Sequence, residues 1–127
     1  MIKEFLYFKK TATKGRGVFT KEKIRAKIIV EESPVIVMSS NERKLLDKTL
    51  LHDYIFEWGD DKRKCCMALG FVPLYNHSYE SNCEYFMDFE KETIQIKTVR
   101  SIEKDEELTI NYNGNWNDSK KIWFDAK

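Results

Sequence analysis

The sequence predicts a mainly β domain carrying one short helical insert. Short β-branched runs recur along the chain, each bounded by charged or turn residues. Only one stretch carries a full set of helix signals. No internal repeat, low-complexity tract or Pro/Gly-rich linker divides the chain, and Pro34 and Pro73 are its only prolines. Many short strands with little helix place the fold in the mainly β class.

Phe5–Lys10 reads as the first strand. Thr11–Gly17 must then turn, because Gly15 and Gly17 flank Arg16 and closely spaced glycines permit backbone conformations that other residues avoid. Val18–Thr20, Lys27–Glu32 and Val35–Met38 are the next strand runs. Ser39–Lys48 is the helix: Ser39 and Glu42 form a capping-box pair, and Leu45, Leu46 and Leu50 offer a modest apolar face. His52–Trp58 is compatible with helix or strand. Cys83–Phe89 and Thr93–Val99 read as strands joined by the charged turn Glu90-Lys91-Glu92. Ile94 and Ile96 mark one face of the second, with Gln95 and Lys97 on the other. Leu108–Tyr112 is the last strand, with Leu108, Ile110 and Tyr112 on one side. Asn113-Gly114-Asn115 then turns the chain into a tail holding Trp116, Trp123 and Phe124.

The 127 residues fit one compact domain, and with 42% hydrophobic and 13% aromatic residues the chain can bury a core. Twenty-two Lys and Arg stand against 21 Asp and Glu, a formal net charge of +1. That balance argues against nucleic acid as a direct partner, since a phosphate-tracking surface shows as excess positive charge. No run approaches the roughly 18 apolar residues of a membrane span. Met1–Lys10 alternates charge with aromatics and lacks the apolar centre of a signal peptide. Three cysteines, Cys65, Cys66 and Cys83, show no CxxC or Cys/His spacing for zinc, so no metal is expected. Free thiols without an export signal point to a reducing, intracellular compartment.

Three stretches carry candidate chemistry. In Lys14-Gly15-Arg16-Gly17-Val18-Phe19, a Gly-x-Gly turn lets a ligand approach bare backbone, although a plain tight turn is the commoner explanation. It is not the dinucleotide fingerprint, because the third glycine is missing. Leu74–Cys83 concentrates Asn76, His77, Ser78, Glu80, Ser81 and Asn82 straight after the apolar run Cys65–Val72. Such a cluster is usually a surface turn, and beside apolar sequence it needs hydrogen-bond partners. Glu106–Tyr112 ends a strand on a Tyr, which is usually a core residue with its hydroxyl tied to a carbonyl.

Taken together, in this order and at these spacings, the three stretches resemble those of a SET domain, the lysine methyltransferase fold that uses S-adenosylmethionine. Gly15–Phe19 resembles its Gly-x-Gly motif, Asn76-His77-Ser78 through Asn82-Cys83 its Asn-His-Ser motif, and Glu106–Tyr112 its Glu-Glu-Leu-Thr…Tyr motif. Met67–Phe71, Met-Ala-Leu-Gly-Phe, is similar to the stretch preceding the second motif in short, free-standing viral and bacterial members. The resemblance implies a β-clip-like fold of several small sheets with a C-terminal pseudoknot, formed as one domain over 1–127 with its core at about 5–112. It implies transfer of a methyl group from S-adenosylmethionine to the neutral amine of a lysine in a protein or peptide, a histone-like tail among them. A catalytically inactive module that binds a peptide or protein partner is the alternative.

By the same resemblance, Tyr112 is the catalytic Tyr. Gly15, Arg16, Gly17, Asn76 and His77 contact the cofactor, Asn76 at its amino-acid end and His77 at the adenine side or in the pseudoknot's hydrogen bonds. Tyr54, Tyr85 and Trp116 line the substrate channel. Tyr85 matches a channel Tyr of members that add a single methyl. Trp123 and Phe124 either close over the cofactor or cap the core. The sequence departs from the pattern in several places. No cysteine follows Cys83, so either the aromatic tail 113–127 stands in place of a zinc-binding closing segment or the lid is absent. Tyr79 stands where many members have Cys, Ser81 replaces the usual Pro, and Asn111 replaces the common Asp. The insert is short, and a homodimer is one way for so small a domain to complete a peptide groove.

Overall fold

The computed structural model describes residues 1–112. Among these, nine strands form two sheets: β1 (Leu6–Lys10), β2 (Arg16–Thr20), β3 (Ile29–Met38), β4 (Phe56–Trp58), β5 (Lys64–Ala68), β6 (Asn76–His77), β7 (Cys83–Asp88), β8 (Thr93–Thr98) and β9 (Glu107–Ile110). The order is β1-β2-β9-β6 in one sheet and β4-β5-β3-β8-β7 in the other. Alternation sets their inner faces. Ile94 and Ile96 of β8, and Leu108 and Ile110 of β9, are fully buried in one cluster with Val18, Val30, Val72 and Tyr75.

The two runs expected as separate strands on either side of Pro34 form the single strand β3. Its first half pairs with β8, ending at Pro34 opposite Thr93; its second half pairs with β5, beginning at Val35 opposite Ala68. Pro34, which has no N–H to give, falls at the changeover. β2 begins at Arg16 rather than Val18, so the second half of the Gly-x-Gly stretch is already strand.

The insert contains α1 (Ser40–Leu46), capped by Ser39 with the full reciprocal pair to Glu42. The expected leucine face is not used: no residue of α1 is buried, and Leu45 and Leu50 remain 67% and 71% exposed. The reason is that α1 is fastened by Arg43 instead. Its guanidinium donates to the carbonyl oxygens of Lys62 (2.7 Å) and Lys64 (3.4 Å) and pairs with Glu57 (3.0 Å). His52–Trp58 resolves into a 3-10 turn, Leu50–Asp53, followed by β4.

The segment 76–82 is laced to the end of the chain's described part. β6 runs parallel to β9, with Asn76 opposite Thr109 and His77 opposite Ile110. Ser78 N–H donates to the Ile110 carbonyl (3.0 Å). Buried Asn82 donates from Nδ2 to the Glu107 carbonyl (2.8 Å) and accepts at Oδ1 from Thr109 N–H (2.8 Å).

Candidate active site

A notch forms where β2, β9 and β6 meet. The turn before β2 is closed by Thr11, whose N–H and hydroxyl both donate to the Gly15 carbonyl (2.6 and 2.8 Å). β2 pairs with β9 through Val18–Leu108 and Phe19–Glu107, and β9 carries β6 on its other edge. This brings Asn76 and Glu107 beside Gly17. Asn76 Nδ2 donates to the Arg16 carbonyl (3.1 Å) and to Glu107 Oε2 (2.7 Å). A Cβ on Gly17 would lie 2.4 Å from Glu107 Oε2 and 3.0 Å from Asn76 Nδ2, so a larger residue here would push the Glu107 carboxylate away from the Asn76 amide. Lys14 reaches across with its Nζ 3.3 Å from the His77 carbonyl oxygen.

The chemistry of these partners fixes the amide. A carbonyl and a carboxylate only accept, so Nδ2 must face them. Both Asn76 N–H groups are then engaged, and Oδ1 is the atom left to meet a ligand. It can only accept, which suits an ammonium group.

Tyr112 lies a short step from the notch. Its backbone N–H donates to His77 Nδ1 (3.1 Å), so His77 is held as the neutral tautomer with its proton on Nε2. Nε2 is buried and has no hydrogen-bond partner among the described residues. Burial, and then the charge of Lys14, hold the imidazole below its ordinary pKa. The Tyr112 hydroxyl donates to the Tyr75 carbonyl (2.7 Å), and the Tyr85 hydroxyl donates to the Tyr112 carbonyl (3.3 Å). Phe56 packs its ring 5.6 Å from that of Tyr85 and 6.3 Å from that of Tyr112.

Burial pushes the Tyr112 phenol well above its ordinary pKa, and Tyr54, Tyr85, Glu107 and Asp53 add to the shift. Tyr85 is pushed up to about 12, by burial first and then by Glu57 and Cys66. Both phenols therefore stay protonated at neutral pH and cannot act as bases there. They can orient a polar group.

Arg16, Gly17 and Asn76 converge on the notch. His77, Tyr85 and Tyr112 converge beside it, with Tyr54 close enough to act on the Tyr112 phenol. The His77 imidazole accepts from the Tyr112 N–H at the β6–β9 crossing. Trp116, Trp123 and Phe124 lie outside the described residues. Sequence reasoning assigned no individual role to Glu107, Lys14, Phe56 or Tyr75. Glu107 was the most accessible of these: Leu108 and Ile110 face inward, which turns Glu107 toward the opposite face. No group of three or more His, Cys, Asp or Glu is placed to hold a metal ion among the described residues. None of the described helices is long and apolar enough to cross a membrane.

Comparison with known proteins gives a concordant set of matches. The family model for the SET domain matches residues 15–113. A histone-lysine N-methyltransferase of Schizosaccharomyces pombe, specific for H3 lysine 37, is 32% identical over 126 residues, covering 98% of this chain and 80% of its own. A crystal structure from Plasmodium falciparum, described provisionally as a histone methyltransferase, is 28% identical with a TM-score of 0.67. It covers 91% of this chain and 98% of that one. A humanized mutant of the Chaetomium thermophilum Polycomb Repressive Complex 2, bound to the inhibitor GSK126, is 18% identical with a TM-score of 0.74. It covers 93% of this chain and 16% of that one, and shows likeness of fold alone.

Proposed function

The chain belongs to the SET domain family of protein-lysine methyltransferases, and from that premise we propose that it moves a methyl group from S-adenosylmethionine to a protein lysine inside a Tyr-lined channel. The observation that carries this reading is the β6–β9 pairing, which sets Asn76 against Gly17 and His77 against Tyr112 in one stroke. When bound, S-adenosylmethionine supplies an electrophilic methyl group on a sulfonium. The notch suits its amino-acid end: Asn76 Oδ1 would accept from the ammonium, Glu107 would add negative charge beside it, and the backbone at Gly15–Gly17 would let the ligand come close.

Tyr112 gives its proton to the Tyr75 carbonyl, so its oxygen would meet the incoming lysine as an acceptor. An amine N–H donated to that oxygen would leave the nitrogen lone pair free for the methyl group. Holding amine and methyl aligned is the main catalytic requirement of a direct displacement. The aromatic walls of Phe56, Tyr85 and Tyr54 favour the neutral amine, whose pKa in water is about 10.4. Because Tyr112 stays protonated, the rate rises with pH as the lysine loses its proton. Tyr85, tied to the Tyr112 carbonyl, narrows the channel and favours a single methylation. The unit that acts is the single domain 1–127, working inside the cell.

Histone H3 is the first substrate to test, because the fission yeast relative is named for it. Purified protein, S-adenosylmethionine and H3 or its peptides are incubated and the lysines read by mass spectrometry. A methyl mass increment, reduced about a hundredfold by Tyr112→Phe, is expected. Cofactor binding without methylation of H3 or a broad lysine-peptide set would move the reading to a non-catalytic binding module.

A further inference from the structure

A fully buried carboxylate, far in sequence from the site, is connected to the hydroxyl of Tyr112. Glu31 of β3 has no exposed surface. Its Oε2 accepts from Ser33 Oγ (2.6 Å) and Phe71 N–H (2.8 Å), and its Oε1 accepts from the Tyr75 hydroxyl (2.9 Å). Backbone at Val72 also donates to it. Gly70 approaches so closely that a Cβ there would sit 2.3 Å from Glu31 Oε2 and 2.4 Å from Ser33 Oγ. Burying a carboxylate is costly even when every lone pair is engaged, and an apolar residue would fill the same space without that cost. An arrangement of this kind fixes an orientation.

Tyr75 is what it orients. Fully buried, Tyr75 is pinned at its ring end by Glu31, while the next residue is already committed to β6. Its carbonyl is thereby aimed at the Tyr112 hydroxyl, 2.7 Å away. A Phe at position 75 would pack as well but would leave that end of the segment free to rotate. We infer that Glu31 is a positioning residue for methyl transfer, acting through Tyr75 on the Tyr112 hydroxyl. The inference rests on the function proposed above and names a residue outside all three sequence motifs.

Two variants test it: Glu31→Gln, which keeps the volume but reverses the bond to Tyr75, and Tyr75→Phe, which removes only the hydroxyl. In each, kcat is expected to fall about tenfold or more, with KM for cofactor and peptide within twofold of wild type. In the Tyr112→Phe background neither substitution should lower kcat further. A purely structural role would instead lower the melting temperature and leave kcat per correctly folded molecule unchanged, which would overturn the inference. The resonance of the Tyr112 ring carbon bearing the hydroxyl, observed by 13C NMR, gives a readout independent of turnover. It should shift in both variants, and an unchanged resonance would overturn the inference even if Glu31→Gln fails to fold and only Tyr75→Phe is measured. Absence of turnover in wild type would count against the proposed function, and the resonance would still decide the role of Glu31.

Discussion

The β6–β9 crossing and the helical insert are built by opposite rules. At the crossing, Asn82, Asn111, Ser81 and His77 are buried, and Asn82 alone satisfies backbone groups at Glu107 and Thr109. In the insert, no residue of α1 is fully buried, and a capping box and the Arg43 pairs hold it in place. Buried polar groups tolerate few arrangements, because each unpaired donor or acceptor is penalised, whereas surface pairs contribute little and exchange readily with water. The chain thus places its least forgiving bonds beside the residues that must be aligned. It leaves the insert loosely specified.

The sharpest way to break the contrast is Asn82→Ala. It strands the Thr109 N–H and the Glu107 carbonyl, and a loss of about 2–4 kcal/mol in stability is expected from denaturant unfolding. A loss near zero would mean that water replaces the side chain and that the crossing is not polar-locked. The insert should behave differently: Ser39→Ala should cost about 1 kcal/mol through the lost cap. Leu45→Gln or Leu50→Gln should stay within about 0.5 kcal/mol, because both leucines stay mostly in water.

A subtler effect separates the regions by pH. The His77 pKa is held below its unfolded value of about 6.5, by burial first and then by the charge of Lys14. The unfolded chain therefore takes up the proton first. The stability His77 contributes is complete above about pH 6.5 and is lost as pH falls through the lower folded value. His77→Asn offers an amide oxygen near the position of Nδ1 and cannot titrate there. Its melting temperature should fall less steeply than that of wild type between pH 7 and pH 5, and parallel slopes would show that His77 carries no such linkage.

Much of this architecture was legible in the chain. The alternation of Ile94 and Ile96, the Ser39–Glu42 capping box and the three polar motifs each declare themselves locally. What was hidden depends on distance. Glu31 and Tyr75 are 44 positions apart, and nothing local distinguishes Glu31 from its solvent-ready neighbour Glu32. Pro34 reads as a strand break until β3 is seen to change partners at that point. Leu45 and Leu50 suggest a core face because leucine spacing cannot reveal that a helix lies at a sheet margin and is anchored by an arginine. Glu107 looks like a surface charge, and its hydrogen bond from Asn76 gives it a place in the notch.

The central claim is that the Gly17–Asn76–Glu107 notch holds the methyl donor. Isothermal titration with S-adenosylmethionine and S-adenosylhomocysteine, on wild type, Asn76→Ala and Leu45→Gln, tests it directly. Wild type and Leu45→Gln should bind alike, and a folded Asn76→Ala should bind about tenfold to a hundredfold more weakly, as expected for losing a hydrogen bond to a charged group. Equal binding by Asn76→Ala and wild type, or no binding by wild type to either compound, would contradict the account.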